Sequence, residues 1–256
     1  MRRTIPVRVP TRPTSGPSQN GQSKGTLEAQ PKAWTTRALV SAGRHASPDV
    51  ARILNGATNF LETGRMLQQA RIHTPAPLRS RFAVFDVAIE RAQSAANPVY
   101  LEFGVWKGES IAYWAAGLRN PGAIFVGFDS FEGLPETWTA GAQRGAFSTT
   151  GLEPVITDRR VSFVKGWFRD TIAPYVVPAH DLLIVNIDCD LYASARVVLN
   201  TIGRRLEVGD LLYLDEFHDR LHEGRAFHEF REESGYHFEC VARSAGATHM
   251  LFVRTR

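Results

Sequence analysis

Beyond Pro98 the chain repeats one pattern that restricts its fold more than any other feature: seven short apolar runs separated by turns and helix-length segments. The runs are VYLEFGV, AIFVGFD, VSFVKGW, LLIVNID, LLYLDEF, FECVAR and HMLFVRT. They are strand-sized and rich in β-branched and aromatic residues. Strands that alternate with helices build βαβ units, and several of these predict an α/β fold with a doubly wound, mainly parallel seven-stranded sheet. Only SAGAT separates the last two runs, so they are expected to form a hairpin at the sheet edge. No internal repeat is visible.

Two helices are predicted ahead of the sheet. Ser47 is suited to an N-cap and Pro48 to the first helical position, and Val50, Ile53, Leu54, Ala57 and Leu61 then recur at helical spacing. A second helix is expected over residues 78–95, with Phe82, Phe85, Ala88 and Ile89 on one face, before Asn97 and Pro98 stop it. The chain therefore reads as a tail over 1–45, a helical cap over 46–97 and an α/β domain over 98–256. The tail is rich in Pro, Ser, Gly, Thr and Arg and lacks apolar periodicity, so it is expected to be disordered.

That tail explains the charge. The net charge of +4 and pI near 9.3 suggest an acidic partner until the charge is located. Residues 1–45 hold eight Lys or Arg and one acid, Glu28, whereas the remainder carries 22 basic and 25 acidic residues. Nucleic acid is thus not expected as partner of the folded part. No run approaches the roughly 20 apolar residues of a membrane span. Cys189 and Cys240 alone suggest neither a disulfide framework nor a zinc site, and a cytoplasmic protein is expected. The oligomeric state is left open, with a homo-oligomer compatible.

In an open α/β sheet, ligands bind outside the carboxyl ends of the strands. The first strand ends in Glu102-Phe103-Gly104-Val105-Trp106-Lys107-Gly108, where two glycines allow a tight turn and close approach of backbone to a ligand. A dinucleotide fingerprint would place a third glycine here to admit a pyrophosphate. S-adenosylmethionine has no pyrophosphate, and a carboxylate at Glu102 would suit its cationic end. The second strand ends in Asp129-Ser130, 25 residues after Gly104, near the offset at which an acid accepts ribose hydroxyls. Asp129 is the ribose candidate, but the pair does not separate a nicotinamide dinucleotide from S-adenosylmethionine.

Five blocks, LEFGVWKGESI, VGFDSFEGLPE, VKGWFRDT, NIDCDLYAS and LYLDEF, occur in this order from Tyr100 to Phe217. In sequence and spacing they resemble the macrocin O-methyltransferase family, sugar methyltransferases of macrolide biosynthesis. The resemblance implies a Rossmann-like class I methyltransferase sheet, with cofactor-binding roles for Glu102, Gly104, Gly108, Asp129 and Ser130. Gly166-Trp167-Phe168 would lie where an adenine ring rests, with Trp167 able to stack on it.

The fourth and fifth strands end in Asp188-Cys189-Asp190 and Asp215-Glu216, at neighbouring positions in a parallel sheet. Four carboxylates there would repel one another unless a cation sits among them, and an all-oxygen set suits Mg²⁺. The family likewise implies a divalent ion on an aspartate after the fourth strand and an acidic pair after the fifth. Its pair is two aspartates followed by tyrosine, where this chain has Asp215-Glu216-Phe217. The expected chemistry is O-methylation of a hydroxyl on a sugar or other small molecule. Asp188 or Asp190 would accept the proton, and the metal would steady the alkoxide. Acceptor choice is assigned to the helical cap and to residues 135–154. His218 and His222, four apart, would share a helix face, but neither they nor His228 suggest a zinc site as well as ordinary surface or substrate contacts. Tyr192 and Ser194 fit the family block, Tyr192 mainly as packing. A nicotinamide-dependent oxidoreductase and a non-catalytic binding protein on the same scaffold are the alternatives.

Overall fold

The structure is a computed structural model that describes residues 33–139 and 141–256. Most of the expected tail lies outside them, but Ala33–Gly43 forms helix α1, which corrects the reading of 1–45 as disordered throughout. The chain divides into two compact units between Ser47 and Pro48. The second unit opens with α2 (Pro48–Gln69) and α3 (Arg81–Ala92).

All seven expected strands form: β1 (Pro98–Phe103), β2 (Ile124–Asp129), β3 (Val161–Lys165), β4 (Leu182–Ile187), β5 (Leu211–Leu214), β6 (Phe238–Arg243) and β7 (Met250–Arg254). They make one sheet in the order β3-β2-β1-β4-β5-β7-β6, with the first five parallel. As expected, β6 and β7 pair antiparallel at the edge; β7 is also antiparallel to β5.

The connecting helices are α4 (Glu109–Gly117), the short α5 (Phe168–Thr171), α6 (Tyr192–Thr201) and α7 (Glu223–Ser234). The two-residue period of the strands sorts their side chains between two cores. Val99, Leu101 and Phe103 of β1, with Val185 and Ile187 of β4, pack with Val198 and Leu199 of α6 and Phe227 and Phe230 of α7. On the other face Tyr100, Phe125, Ile184 and Tyr213 meet Phe85 and Ile89 of α3 and Trp114 of α4. Helix α3 is thus a layer of the α/β sandwich itself, and its Ser80 Oγ caps it by accepting from Ala83 N–H at 3.3 Å.

Helix α2 behaves differently from the sequence expectation. Val50, Ile53, Leu54 and Leu61 are 45–76% exposed. The face that meets the rest of the unit instead carries Asn59, Phe60, Thr63, Met66 and Leu67. Thr63 Oγ1 donates to the His218 carbonyl at 3.2 Å, and Phe60 stacks on the His218 ring at 5.2 Å. Among the described residues no helix is long and apolar enough to cross a membrane. Cys189 and Cys240 are free and buried, and burial pushes both thiols up, Cys240 to about 12.

Candidate active site

The sheet order reverses between β1 and β4, and a cavity of about 610 Å³ opens at the carboxyl ends of the strands there. Both its place and its size suit a small-molecule site. Gly104, Asp129, Ser130, Gly166, Trp167, Asp188 and Asp190 line it, so the structure brings together most of the residues singled out from sequence.

The glycine loop is built around one carboxylate. Asp129 Oδ2 accepts from the Val105 and Trp106 N–H groups, each at 2.8 Å, and Oδ1 accepts from Phe131 N–H at 2.8 Å. Asp129 thereby fixes the loop after β1 against the end of β2, while a carboxylate's remaining lone-pair capacity stays available to a ligand hydroxyl. Gly104 has φ +97°, and a Cβ there would overlap the Asp188 carbonyl oxygen, so only glycine lets the β1 and β4 loops approach this closely. Gly108, at φ +79°, turns the chain into α4 without itself lining the cavity. Ser130 Oγ accepts from Glu132 N–H at 3.1 Å. Gly166 N–H donates to the Asp129 carbonyl at 2.9 Å, which seats half-buried Trp167 on the cavity wall beyond β3.

Glu102 lies elsewhere. The alternation of β1 sends it to the same side as Tyr100, where it is fully buried beside Asn186 of β4 rather than in the cavity. Tyr100 O–H and Asn186 Nδ2 donate to Glu102 Oε2, and Oε1 has no partner. Burial outweighs these bonds and raises its carboxyl to about 8. Its expected contact with the cationic end of the cofactor is therefore corrected to a buried place within the sheet.

The acids after β4 and β5 also divide. Asp188 and Asp190 line the cavity; Asp215 and Glu216 do not. Tyr213 O–H donates to Asp215 Oδ1 at 2.6 Å, and His249 Nε2 lies 3.7 Å from the same oxygen. Glu216 Oε2 is 3.3 Å from His218 Nδ1. Burial, reinforced by neighbouring carboxylates, raises Asp190 to about 7 and Glu216 to about 8, and pushes Asp188 well up. In oxygen chemistry and uncompensated charge this set suits a divalent cation. Among the described residues, however, no three His, Cys, Asp or Glu side chains converge on one point, so the expected four-acid cluster is not a ready-made ligand set. The distinct partners of Asp215 and Glu216 account for the dispersal.

Several residues of the site were not singled out from sequence. Glu223, at the start of α7, is fully buried. Its Oε1 accepts from Cys189 N–H at 2.9 Å and Asp190 N–H at 3.1 Å, and its Oε2 from Glu216 N–H at 3.0 Å. One carboxylate thus clamps both acidic loops, including Asp190 at φ +62°. An acid beginning a helix looks like ordinary complementation of the helix dipole, which conceals this role. Arg81 donates from Nη2 to Glu109 Oε2 at 2.6 Å, and its Nη1 lies 3.8 Å from Asp188 Oδ2. Leu134, Pro135, Glu136, Arg144 and Phe147 bring the segment between β2 and β3 to the cavity, where the Phe147 ring meets Trp106 edge-on at 5.7 Å.

The histidines do not share a helix face, because α7 begins only at Glu223. His222 Nδ1 accepts from Tyr192 N–H at 3.2 Å, and His228 faces Glu232 within α7 at 3.4 Å. Ser194 lines the cavity, whereas the Tyr192 hydroxyl donates to Glu229 at 2.6 Å.

Comparison with known proteins bears out the family resemblance. Residues 144–241 match the model of the macrocin-O-methyltransferase family, a stretch that holds the last three of the five blocks. Over 141 residues the chain is 31% identical to the 8-demethyl-8-(2,3-dimethoxy-alpha-L-rhamnosyl)-tetracenomycin-C 4'-O-methyltransferase of Streptomyces olivaceus, which covers 46% of this chain and 52% of that protein. Over 169 residues it is 28% identical to the mycinamicin III 3''-O-methyltransferase of Micromonospora griseorubida, or 55% of this chain and 63% of that one. The chain spans about half the length of the first relative and less than two thirds of the second. The solved structure of the calicheamicin methyltransferase CalS11 superposes with a TM-score of 0.54 at 21% identity, over 82% of this chain and 94% of that one. This likeness establishes the Rossmann-like α/β fold.

Proposed function

We propose that the protein is an S-adenosylmethionine-dependent O-methyltransferase acting on a hydroxyl of a sugar or other small natural-product-like acceptor. The observation that carries this reading is one cavity uniting the Asp129-braced glycine loop, the aromatic face of Trp167 and two half-buried acids, Asp188 and Asp190. Similarity to sugar and natural-product O-methyltransferases supports it.

When bound, S-adenosylmethionine supplies an electrophilic methyl group on a sulfonium. The chain's residues do the rest. Asp129 accepts from the ribose hydroxyls, Ser130 borders them, and Trp167 offers its face to the adenine. Asp188 or Asp190 takes the proton of the acceptor hydroxyl onto a carboxylate oxygen as that hydroxyl oxygen gains the methyl group. Leu134 and Phe147 add apolar surface to the cavity wall. Mg²⁺ belongs to the same proposal: Asp188 and Asp190 would hold it from the cavity wall, Asp215 and Glu216 would join them only by leaving Tyr213 and His218, and the ion would lower the pKa of a bound hydroxyl. Their mutual repulsion supports this assignment.

The test is transfer of labelled methyl to a panel of glycosides and phenols, with Mg²⁺ or with EDTA. Turnover that needs Mg²⁺ and falls at least about 100-fold in Asp188→Asn or Asp190→Asn is expected, the size of a general-base contribution. Cofactor binding without turnover on any acceptor would favour the non-catalytic reading, and NADH binding in place of S-adenosylhomocysteine would overturn the proposal.

A further inference from the structure

Arg81 occupies a position that helix stability does not explain. It is the first residue of α3, directly after the Ser80 cap, where the helix dipole disfavours a cation. Departures from local preference of this kind concentrate at functional sites. Its side chain is 28% exposed and lines the cavity, held by Glu109 at 2.6 Å, with Asp188 at 3.8 Å. These contacts leave much of a five-donor guanidinium unused.

The sheet order gives this placement meaning, granting the proposed cofactor reading on which the inference rests. With Trp167 beyond β3 for adenine and Asp129 at the end of β2 for ribose, the next strands in line are β1 and β4. The amino-acid end of the cofactor therefore extends towards the end of β4, where Asp188 and Arg81 stand. That end is a zwitterion, a carboxylate and an ammonium on one carbon. A guanidinium beside a carboxylate is its complement, because the fork-shaped Arg pairs bidentately with a carboxylate and the acid faces the ammonium.

The other cations of the wall fit this role less well. Arg169 follows β3, at the adenine end, and faces Asp170 at 3.4 Å. Lys107 lies over the Trp106 ring at 4.5 Å and is exposed. Arg144 is exposed on the segment between β2 and β3. Arg81 alone of the four combines partial burial with a place at the end of β4, so its charge is screened least.

We infer that Arg81 binds the carboxylate of the cofactor's amino-acid end. The experiment compares two ligands on one protein by calorimetric titration of the full chain. One is S-adenosylhomocysteine; the other is its decarboxylated analogue, S-adenosyl-3-thiopropylamine. Arg81→Gln should weaken the first at least about tenfold, the scale of one charge-assisted hydrogen bond, and change the second less than about twofold. Arg81→Lys, which keeps the charge and loses the fork, should fall between wild type and Arg81→Gln for S-adenosylhomocysteine. Equal weakening of both ligands would mean that Arg81 only ties α3 to α4, and overturns the inference; so does unchanged binding of both. Analogue binding also reports whether each variant is folded. A folded wild type that binds neither ligand overturns the cofactor site and this inference with it, a result distinct from loss of selectivity in the variant.

Discussion

At the scale of single residues, the buried acids determine how the protein responds to pH. Glu102 is raised to about 8 by burial, against an ordinary value of 4.5 in an unfolded chain. A carboxyl raised in the folded state contributes stability that is fully present below its unfolded pKa and is lost as pH rises through its folded one. Glu216, at about 8, and Asp190, at about 7, act in the same direction. The melting temperature should therefore fall between roughly pH 5 and pH 9, and the fall should be shallower in Glu102→Gln, whose amide stays neutral throughout. Parallel declines in wild type and variant would show that Glu102 is ionised in the folded state. These buried groups also show what sequence conceals. Asp129 was legible because an acid at a fixed interval after a glycine loop has a known use. Glu102 was misplaced because its proximity to that loop suggested a ligand contact, whereas the alternation of β1 directs it into the sheet. Glu223 escaped notice because two of its three backbone partners, Cys189 and Asp190, lie more than 30 residues away.

At the scale of elements, the strands were readable and the pieces between them less so. Each strand is a short run rich in aliphatic and aromatic residues, and the central strands β1, β4 and β5 are buried on both sides. The segment between β2 and β3 has no such period. It is held by turns and by pairs such as Leu134 with Ala146, whose N–H···O bond is 2.9 Å, so no regular pattern announces it. Helix α2 shows how periodicity can be right about an element and wrong about its orientation. Its apolar stripe predicted the helix, but the attached face is the one with Asn59 and Thr63. Leu54→Gln should consequently change stability by less than about 0.5 kcal/mol. Phe85→Ala, in the buried face of α3, should cost about 3–5 kcal/mol. Urea denaturation of both variants is the check, and a large loss in Leu54→Gln would mean that the exposed stripe is covered in solution.

At the scale of the whole molecule, the fold and the candidate site are two consequences of one topology. Because α3 and α4 cover one face of the sheet and α6 and α7 the other, the chain leaves a crevice where β1 and β4 part company, and the carboxyl ends of the parallel strands empty into it. The chemistry-bearing residues converge there although they are spread from Arg81 to Trp167 and Asp190. The sequence places the excess positive charge in residues 1–45, while the cavity wall carries Asp129, Asp188 and Asp190 beside Arg81. The central claim is that this crevice binds S-adenosylmethionine through the Asp129-braced loop. Calorimetric titration of the full chain with S-adenosylhomocysteine tests it most directly, performed on wild type and on Asp129→Ala. Saturable one-to-one binding that the substitution abolishes is expected; a folded wild type that does not bind, or an Asp129→Ala variant that binds as tightly, would contradict it.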